Sequence, residues 1–394
     1  MRNSAKIHCN CSSNFCTGNA YSKRFRGIAA FVGLTATLAA SNVYAQSSVT
    51  LYGLISTGFQ YVTNAGGSHQ YAIANGPEQL PRFGLLGRED LGGGTAAIFR
   101  LENGFSITNG SLGQGGRMFG RFAYVGLQND GYGTITMGRQ LEEMASQLAF
   151  AESAIIFASV GTHIGDNDNL FYTLRFNNSV RYVSPAWKGL TFAASYAFSN
   201  ATSFSNNRGF SVGGNYTNGP LKVAVAATQF NDPASASNTE GAVDDSNWGY
   251  SSPFTKSPAN APANLQRMYG GAATYDFNVV QAAVDYTNVL YEYSDGTGLR
   301  LQNAEVTLTK RITPALLLGA AYVYTWGDYS GGTAPKWHQF NLGTVYSLSK
   351  RTDLFLVGIY QRAAGDAEHA QIYSTTMSSG KSQLVVETGI RLKF

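Results

Sequence analysis

Residues 384–394 read LVVETGIRLKF, and their side chains alternate in character from one position to the next. One face carries mostly apolar residues: Leu384, Val386, Thr388, Ile390, Leu392 and Phe394. The charged residues Glu387, Arg391 and Lys393 all fall on the other face. A period of two places successive side chains on opposite sides of a β-strand. This segment therefore predicts a β-strand with one apolar face and one polar face.

The same alternation recurs upstream and marks sixteen candidate strands. They are 49–62, 82–90, 95–106, 119–128, 134–140, 174–185, 190–200, 209–217, 221–230, 266–277, 279–292, 299–311, 315–327, 337–349, 352–362 and 382–394. Some connections are short, as at 92–94, 129–133, 187–189, 218–220 and 349–352, whereas others are long, as at 63–81, 141–173, 231–265 and 363–381.

These strands predict an all-β fold, a 16-stranded antiparallel transmembrane β-barrel with short periplasmic turns and long external loops. A strand crosses a bilayer in about 9–11 residues, and such barrels pair short turns at one end with long loops at the other. Closure is required because hydrocarbon leaves no partner for an open sheet edge. The alternative is a secreted β-sandwich or propeller, whose strands also alternate. A terminal aromatic after alternating apolar positions is typical of barrel assembly signals, so we expect Phe394 to act as one.

The N-terminal residues 1–45 resemble a cleaved signal peptide. Lys23, Arg24 and Arg26 precede the apolar stretch 28–40, which is too short to span a bilayer, and small residues at 43 and 45 predict a mature start at Gln46. A retained N-terminal anchor is the alternative. The barrel domain is then 46–394.

Removing this segment changes the composition. All three cysteines leave with it, which excludes disulfides and thiolate metal sites in the mature chain. The segment also contains five of the 28 basic residues and none of the 24 acidic ones, so the formal net charge of the mature chain becomes 23 − 24 = −1. This net charge gives no reason to expect a nucleic-acid partner. Charged residues make up only 13% of the chain, against about 25% in soluble domains.

Several segments together resemble the Gram-negative general porins of the trimeric, β-proteobacterial type. They are 48–53 (SVTLYG), 82–84 (RFG), 89–94 (EDLGGG), 121–127 (RFAYVGL), 133–140 (GTITMGRQ), 176–182 (FNNSVRY) and 391–394 (RLKF). The resemblance implies a homotrimer in the outer membrane, in contact with lipid and lipopolysaccharide, that passes ions and small hydrophilic solutes. It also implies that the third external loop, 141–173, folds into the lumen and narrows it.

That loop, 141–173, carries five acidic residues and no lysine or arginine: Glu142, Glu143, Glu152, Asp166 and Asp168. The side chains in its middle, residues 148–160, are mostly apolar and small. We therefore expect the loop to pack against the inner wall while its carboxylates face water. The alternative is an external loop with scattered acids.

The resemblance places arginines of early strands opposite this loop. Arg82 and Arg139 match the Arg-Phe-Gly and Gly-Arg-Gln motifs, and Arg121 and Arg175 are further candidates. Arginine suits this role because its guanidinium stays charged and holds a fixed geometry. Opposed charges across a narrow waist create a transverse field that favours polar solutes. Each arginine could instead pair with a wall carboxylate such as Glu89 or Glu102.

Other signals predict no enzyme, cofactor or metal. The four histidines after residue 45 (His69, His163, His338 and His369) have no partner at helical spacing, and no hydrolase motif is present. Residues 165–169 begin like a calcium loop but lack its glycine and final glutamate, so a weakly bound calcium is the alternative. Two other function classes stay open: a substrate-specific channel, and an adhesin-type barrel that uses the loop 231–265.

Overall fold

The alternating segments become β-strands in the computed structural model, which describes residues 47–245, 252–256 and 259–394. The strands are β1 Ser48–Ala65, β2 Ser68–Asn75, β3 Arg82–Gly92, β4 Thr95–Gly104, β5 Phe122–Asn129, β6 Gly133–Gln140, β7 Phe176–Val183, β8 Leu190–Ala197, β9 Arg208–Asn218, β10 Leu221–Asn231, β11 Thr255–Lys256, β12 Ala261–Asp276, β13 Gln281–Tyr293, β14 Gly298–Thr313, β15 Leu316–Tyr329, β16 Pro335–Ser347, β17 Thr352–Gly365 and β18 Ser382–Lys393. The predicted signal peptide and its cleavage site at Gln46 lie outside the described residues.

Antiparallel pairing runs around a closed ring. Sequential neighbours pair from β3 to β10 and from β12 to β18, β10 pairs with β12, and β18 returns to β1. The other edge of β1 is shared, with Ser48–Leu54 paired to β3 and Thr57–Ala65 paired to β2. Because β2 and β3 fill one wall position and β11 pairs only with the start of β12, the wall has sixteen positions. The predicted 16-stranded barrel is confirmed.

The first predicted long loop, 63–81, is largely a strand. Its central part is β2, which pairs with the outer half of β1, and only 76–81 leaves the sheet before β3 begins. The reason is the length of β1, whose 18 residues exceed what a bilayer crossing needs and leave an edge that must be paired. The loop predicted at 231–265 is also shorter, because β12 already begins at Ala261.

The two faces of the strands differ as the alternation predicts. On β1, Val49, Leu51 and Phe59 point outward and are exposed, whereas Leu54 and Ser56 point inward and are buried. The apolar outer face suits contact with lipid. In the part of the chain that the structure describes, no helix combines the length and apolar character that a membrane crossing requires.

The third external loop, between β6 and β7, folds into the lumen, as predicted. It runs from residue 141 to residue 175, since β6 ends at Gln140 and β7 begins at Phe176. It contains the α-helix α1 (Glu143–Leu148), short 3-10 helices at Ala149–Ala151 and Ile164–Asp166, and a π-helical segment at Ala154–Ala158. A further 3-10 turn, Gln114–Gly116, lies between β4 and β5.

Apolar packing holds this lumen loop against the inner wall. Met144 and Leu148 of α1 share a buried cluster with Phe230 of β10 and Met268 of β12. Burial of one such side chain stabilises the fold by roughly 1.5–3 kcal/mol.

Further along the lumen loop, Phe157 lies against two wall glycines. A Cβ atom at Gly319 would lie 2.4 Å from the Phe157 ring, and one at Gly343 would lie 2.6 Å from it. The wall therefore needs glycine where the loop approaches it most closely.

Candidate functional site

Five arginines, four from neighbouring parts of the wall and one from the lumen loop, come together inside the barrel. We call Arg82, Arg100, Arg121, Arg139 and Arg175 the arginine cluster. They come from the start of β3, from β4, from the residue before β5, from the end of β6 and from the last residue of the lumen loop. The guanidinium of Arg175 interacts electrostatically with those of Arg121, Arg139 and Arg82, and Arg82 interacts with Arg100.

All four predicted arginines belong to this cluster, although not all lie on strands. Arg175 was placed on a wall strand from the sequence but belongs to the lumen loop, because β7 begins only at Phe176. Arg100 was missed, because it lies in none of the segments that resemble porins. Its position follows from strand pairing, which brings Arg100 opposite Leu86 and Tyr124 on adjacent strands.

Glu102 of β4 holds two members of the cluster. Its carboxylate accepts hydrogen bonds from Arg121 Nε at 2.6 Å, Arg100 Nη2 at 2.6 Å and Tyr52 Oη at 2.6 Å. Tyr52 reaches it across Gly84, where a Cβ would lie 2.8 Å from Tyr52 Oη. Arg121 therefore pairs with a wall carboxylate, which is the alternative that the sequence left open for each arginine.

A second carboxylate reaches the cluster from the loop after β10. Asp244 Oδ2 lies 3.5 Å from Arg139 Nη1, and Asp244 Oδ1 lies 3.4 Å from Arg117 Nη1. Asn207 anchors this loop by accepting the Val243 N–H at 2.9 Å. No sequence signal pointed to Asp244, because loop residues distant in the chain carry no periodicity that could align them.

Arg175 and Arg82 are less neutralised than the others. Arg175 Nη1 donates to the Tyr172 carbonyl at 2.8 Å, while its Nε and Nη2 are buried without hydrogen-bond partners. Burial, followed by the nearby Arg121 and Arg139 guanidinium groups, lowers the pKa of Arg175 well below its ordinary value. Arg82 forms no ion pair within the described residues. Positive charge is therefore concentrated on this side of the lumen.

The first two acids of the lumen loop are structural. Glu142 caps α1 by accepting the N–H groups of Met144 at 2.5 Å and Ala145 at 2.9 Å. Burial raises the pKa of Glu142, and its hydrogen bond from Thr228 opposes that shift. Glu143 accepts two bonds from Arg181, at 2.7 Å and 2.9 Å.

The other three acids also turn away from the channel. Asp166 accepts the backbone N–H groups of Phe171 at 2.9 Å and Thr173 at 3.0 Å. Glu152 accepts the Thr162 hydroxyl, and Asp168 is bonded to the His163 ring.

The expectation that the five carboxylates face water was therefore wrong, since all five residues are at most 1% exposed. Irregular backbone inside a barrel has no ladder partners, and these side chains supply many of the acceptors it needs.

Glu152 and His163 of the lumen loop and Glu305 of β14 each offer one metal-ligand atom, all within 4.8 Å of one another. The two aspartates of the calcium-like segment do not share a partner: Asp166 accepts the Phe171 N–H, and Asp168 is bonded to the His163 ring. Glu305 lies far from Glu152 and His163 in the sequence, so residue spacing could not reveal the group.

The chain terminus lies at the seam of the barrel. Phe394 and Gly53 exchange two backbone hydrogen bonds of 3.0 Å, and a Cβ at Gly53 would lie 2.4 Å from the Phe394 ring. The terminal residue therefore extends the β18–β1 pairing by one position.

Comparisons with known proteins agree on one family. The family model described as Gram-negative porin matches residues 29–366. An outer membrane porin protein of Bordetella pertussis is 31% identical, covering 85% of this chain and 94% of that protein.

Two solved structures share the fold. The anion-selective porin from Comamonas acidovorans superimposes with a TM-score of 0.71 at 24% identity, covering 89% of this chain and all of that one. OmpT of Vibrio cholerae in its trimer form gives a TM-score of 0.64 at 14% identity, covering 88% and 99%.

Proposed function

This chain belongs to the Gram-negative porin family, and from that premise we propose that its channel prefers anions and is narrowed between the arginine cluster and the lumen loop. The protein is an outer-membrane porin through which solutes pass by passive diffusion. We further propose that transport of ions and small hydrophilic solutes, rather than catalysis, is its activity.

The charge balance at the arginine cluster carries the proposal. Among the described residues, its five arginines and the neighbouring Arg117 face two carboxylates, Glu102 and Asp244, which leaves +6 − 2 = +4. None of the lumen-loop acids forms an ion pair with the arginine cluster in the described residues, because Glu143 pairs with Arg181 and the other four accept hydrogen bonds from the loop or the wall. An uncompensated positive field in a narrow aqueous passage concentrates anions and repels cations. The related Comamonas protein is itself an anion-selective porin.

Arg82 and Arg139 take the role of basic wall in this proposal, with Arg121 and Arg175 behind them. Tyr172 of the lumen loop interacts electrostatically with Arg82 and Arg121, which supports a waist formed between loop and wall. Glu142, Glu143, Glu152, Asp166 and Asp168 contribute to it by shaping the loop.

Reversal potentials test the preference. The purified protein is inserted into planar bilayers under a potassium chloride gradient, and we expect chloride to permeate better than potassium. A potential of the opposite sign would contradict the proposal. Steady conductance that rises without saturation as solute is added supports a general pore, whereas saturation indicates a substrate-specific channel.

We also propose that the chain forms a homotrimer in contact with lipopolysaccharide. The support is the trimer form of the related Vibrio fold and the apolar outer face of β1. Electrophoresis of detergent-solubilised protein with and without boiling tests the assembly. A heat-sensitive band at three times the chain mass is expected, and a monomer band in the unboiled sample would contradict it.

A further inference from the structure

A fully buried group of acidic side chains lies between the lumen loop and the wall. Glu152, His163 and Asp168 come from the loop, Asp285 comes from β13 and Glu305 from β14. None of these five side chains is solvent-exposed. Among the described residues, His163 is the only basic side chain that pairs with any of them. Four carboxylates thus share a single imidazole, which is a costly arrangement unless something else neutralises them.

Both glutamates have one oxygen fixed and one oxygen free. Glu305 Oε1 accepts the Ser153 N–H at 2.6 Å and the Thr307 hydroxyl at 2.5 Å, whereas Glu305 Oε2 is buried without a hydrogen-bond partner. Glu152 Oε1 accepts the Thr162 hydroxyl, and Glu152 Oε2 is likewise buried without a partner. Each carboxylate is held in place by one oxygen and presents the other to the same enclosed space.

His163 is oriented in the same way. Its Nδ1 lies 2.6 Å from Asp168 Oδ2, while its Nε2 lies 3.2 Å from Glu305 Oε2 and 3.4 Å from Asp285 Oδ1. Neither Nε2 contact has hydrogen-bond geometry, and both oxygens of Asp285 lack hydrogen-bond partners. An imidazole that donates one N–H to a carboxylate and directs its other nitrogen toward further ligand atoms without hydrogen-bonding them is the usual arrangement of a metal-binding histidine.

We propose that Glu152, His163 and Glu305 bind a divalent first-row transition-metal cation such as Zn²⁺, which ties the lumen loop to the barrel wall. The three side chains offer ligand atoms within 4.8 Å of one another. Ligands at about 2.0–2.1 Å in a tetrahedron lie about 3.3 Å apart, close to the two distances from His163 Nε2. Asp285 is the fourth ligand candidate, and Asp168 is a positioning residue that orients the imidazole.

The mixed donor set selects the class of cation. Carboxylates alone suit calcium and magnesium, whereas an imidazole among them favours zinc, iron or nickel. A bound cation offsets carboxylate charge that no arginine or lysine reaches in the described structure. It joins two positions of the lumen loop to β14, and this role is separate from the charge of the arginine cluster.

Metal binding by the full mature chain tests the inference. The protein is isolated in detergent, unfolded with a chelator, refolded with or without Zn²⁺ and freed of excess metal, after which bound zinc is measured by mass spectrometry. We expect one zinc ion per chain, retained through dialysis because the site is enclosed. Wild-type protein without stoichiometric zinc would overturn the proposal, as would equal thermal stability of the refolded protein with and without the ion.

Variants locate the site. His163→Gln and Glu305→Gln are expected to lose the bound ion, and Asp168→Asn to weaken binding about 10–100-fold. His69→Gln is the matched control, because His69 bonds Tyr61 at an exposed position away from the lumen loop. Zinc retained by His163→Gln, or lost from His69→Gln, would place binding elsewhere and overturn the assignment.

A spectroscopic measurement on wild-type protein keeps the test independent of whether the variants fold. Refolding with Co²⁺ is expected to give the visible absorption of a low-symmetry, four-coordinate nitrogen and oxygen site. A spectrum identical to that of hydrated Co²⁺ would show that any bound metal is held at the surface, which would overturn the proposal.

Discussion

Arg139 Nη1 lies 3.5 Å from Asp244 Oδ2, so a loop that begins at the end of β10 supplies a counter-charge to the end of β6. Arg117 also reaches this carboxylate, at 3.4 Å. The loop after β10 therefore helps to set the electrostatic potential at the arginine cluster.

Asp244→Asn is expected to increase the preference for anions. The change removes one of the two carboxylates near the arginine cluster and leaves the shape of the side chain almost unchanged. The chloride-to-potassium permeability ratio from reversal potentials should rise about twofold or more, and the effect should weaken at high salt. Asp245→Asn is the control, since Asp245 is the exposed neighbour. Equal ratios in the two variants would exclude Asp244 from the permeation path.

Arg82→Gln is expected to shift selectivity in the opposite direction. Arg82 has no ion-pair partner within the described residues, so its charge is offset less than that of Arg139. Arg139→Gln should have a smaller effect, because Asp244 already offsets part of that charge. Both variants should still fold. Arg351→Gln, in the exposed turn before β17, is the control. Unchanged reversal potentials for Arg82→Gln and Arg139→Gln would remove both residues from the constriction.

Glu102→Gln is expected to destabilise the barrel. Its carboxylate is buried and accepts bonds from Arg121, Arg100 and Tyr52, so a neutral amide leaves two guanidinium groups without a counter-charge. Loss of one partner of a buried pair costs about 3–5 kcal/mol. The free energy of unfolding is measured by urea titration in lipid vesicles, with Glu89→Gln at an exposed wall position as the control. A loss no greater than that of the control would refute this reading.

The sequence predicted the barrel well because strand alternation and turn spacing are local. Arg82 and Arg139 were also found, because each lies in a short motif. Asp244 and Glu305 could not be found, since their contacts join segments that no periodicity relates. The five loop acids were identified but given the wrong orientation. Composition shows that carboxylates are present, and it does not show that irregular backbone inside the barrel needs their oxygens as acceptors.

Gly319→Ala is expected to loosen the lumen loop. The new methyl group would lie 2.4 Å from the Phe157 ring, and overpacking of this kind costs roughly 1–3 kcal/mol. Single-channel recordings should show larger current fluctuations, and the unfolding free energy should fall. Gly358→Ala is the matched control on β17, because a Cβ there meets no atom within 4 Å. Identical recordings from both variants would mean that Phe157 does not require the glycine.

Phe394→Ala is expected to reduce assembly into the outer membrane severalfold. The change removes the ring packed on Gly53 and the terminal aromatic that the sequence suggests as an assembly signal. The fraction of heat-modifiable protein in isolated outer membranes measures the effect. Leu392→Ala, two residues earlier and similarly exposed, is the control. Equal assembly of both variants would leave the terminal aromatic without a special role.

The lumen loop packs on β10 and on β12 to β18, whereas the arginine cluster lies mainly on β3 to β6. One side of the interior therefore holds the lumen loop in place, and the other side presents charged groups to the permeating solutes. The charge of Arg82 or Arg139 can therefore be changed while the packing of the lumen loop on the opposite half of the interior stays intact.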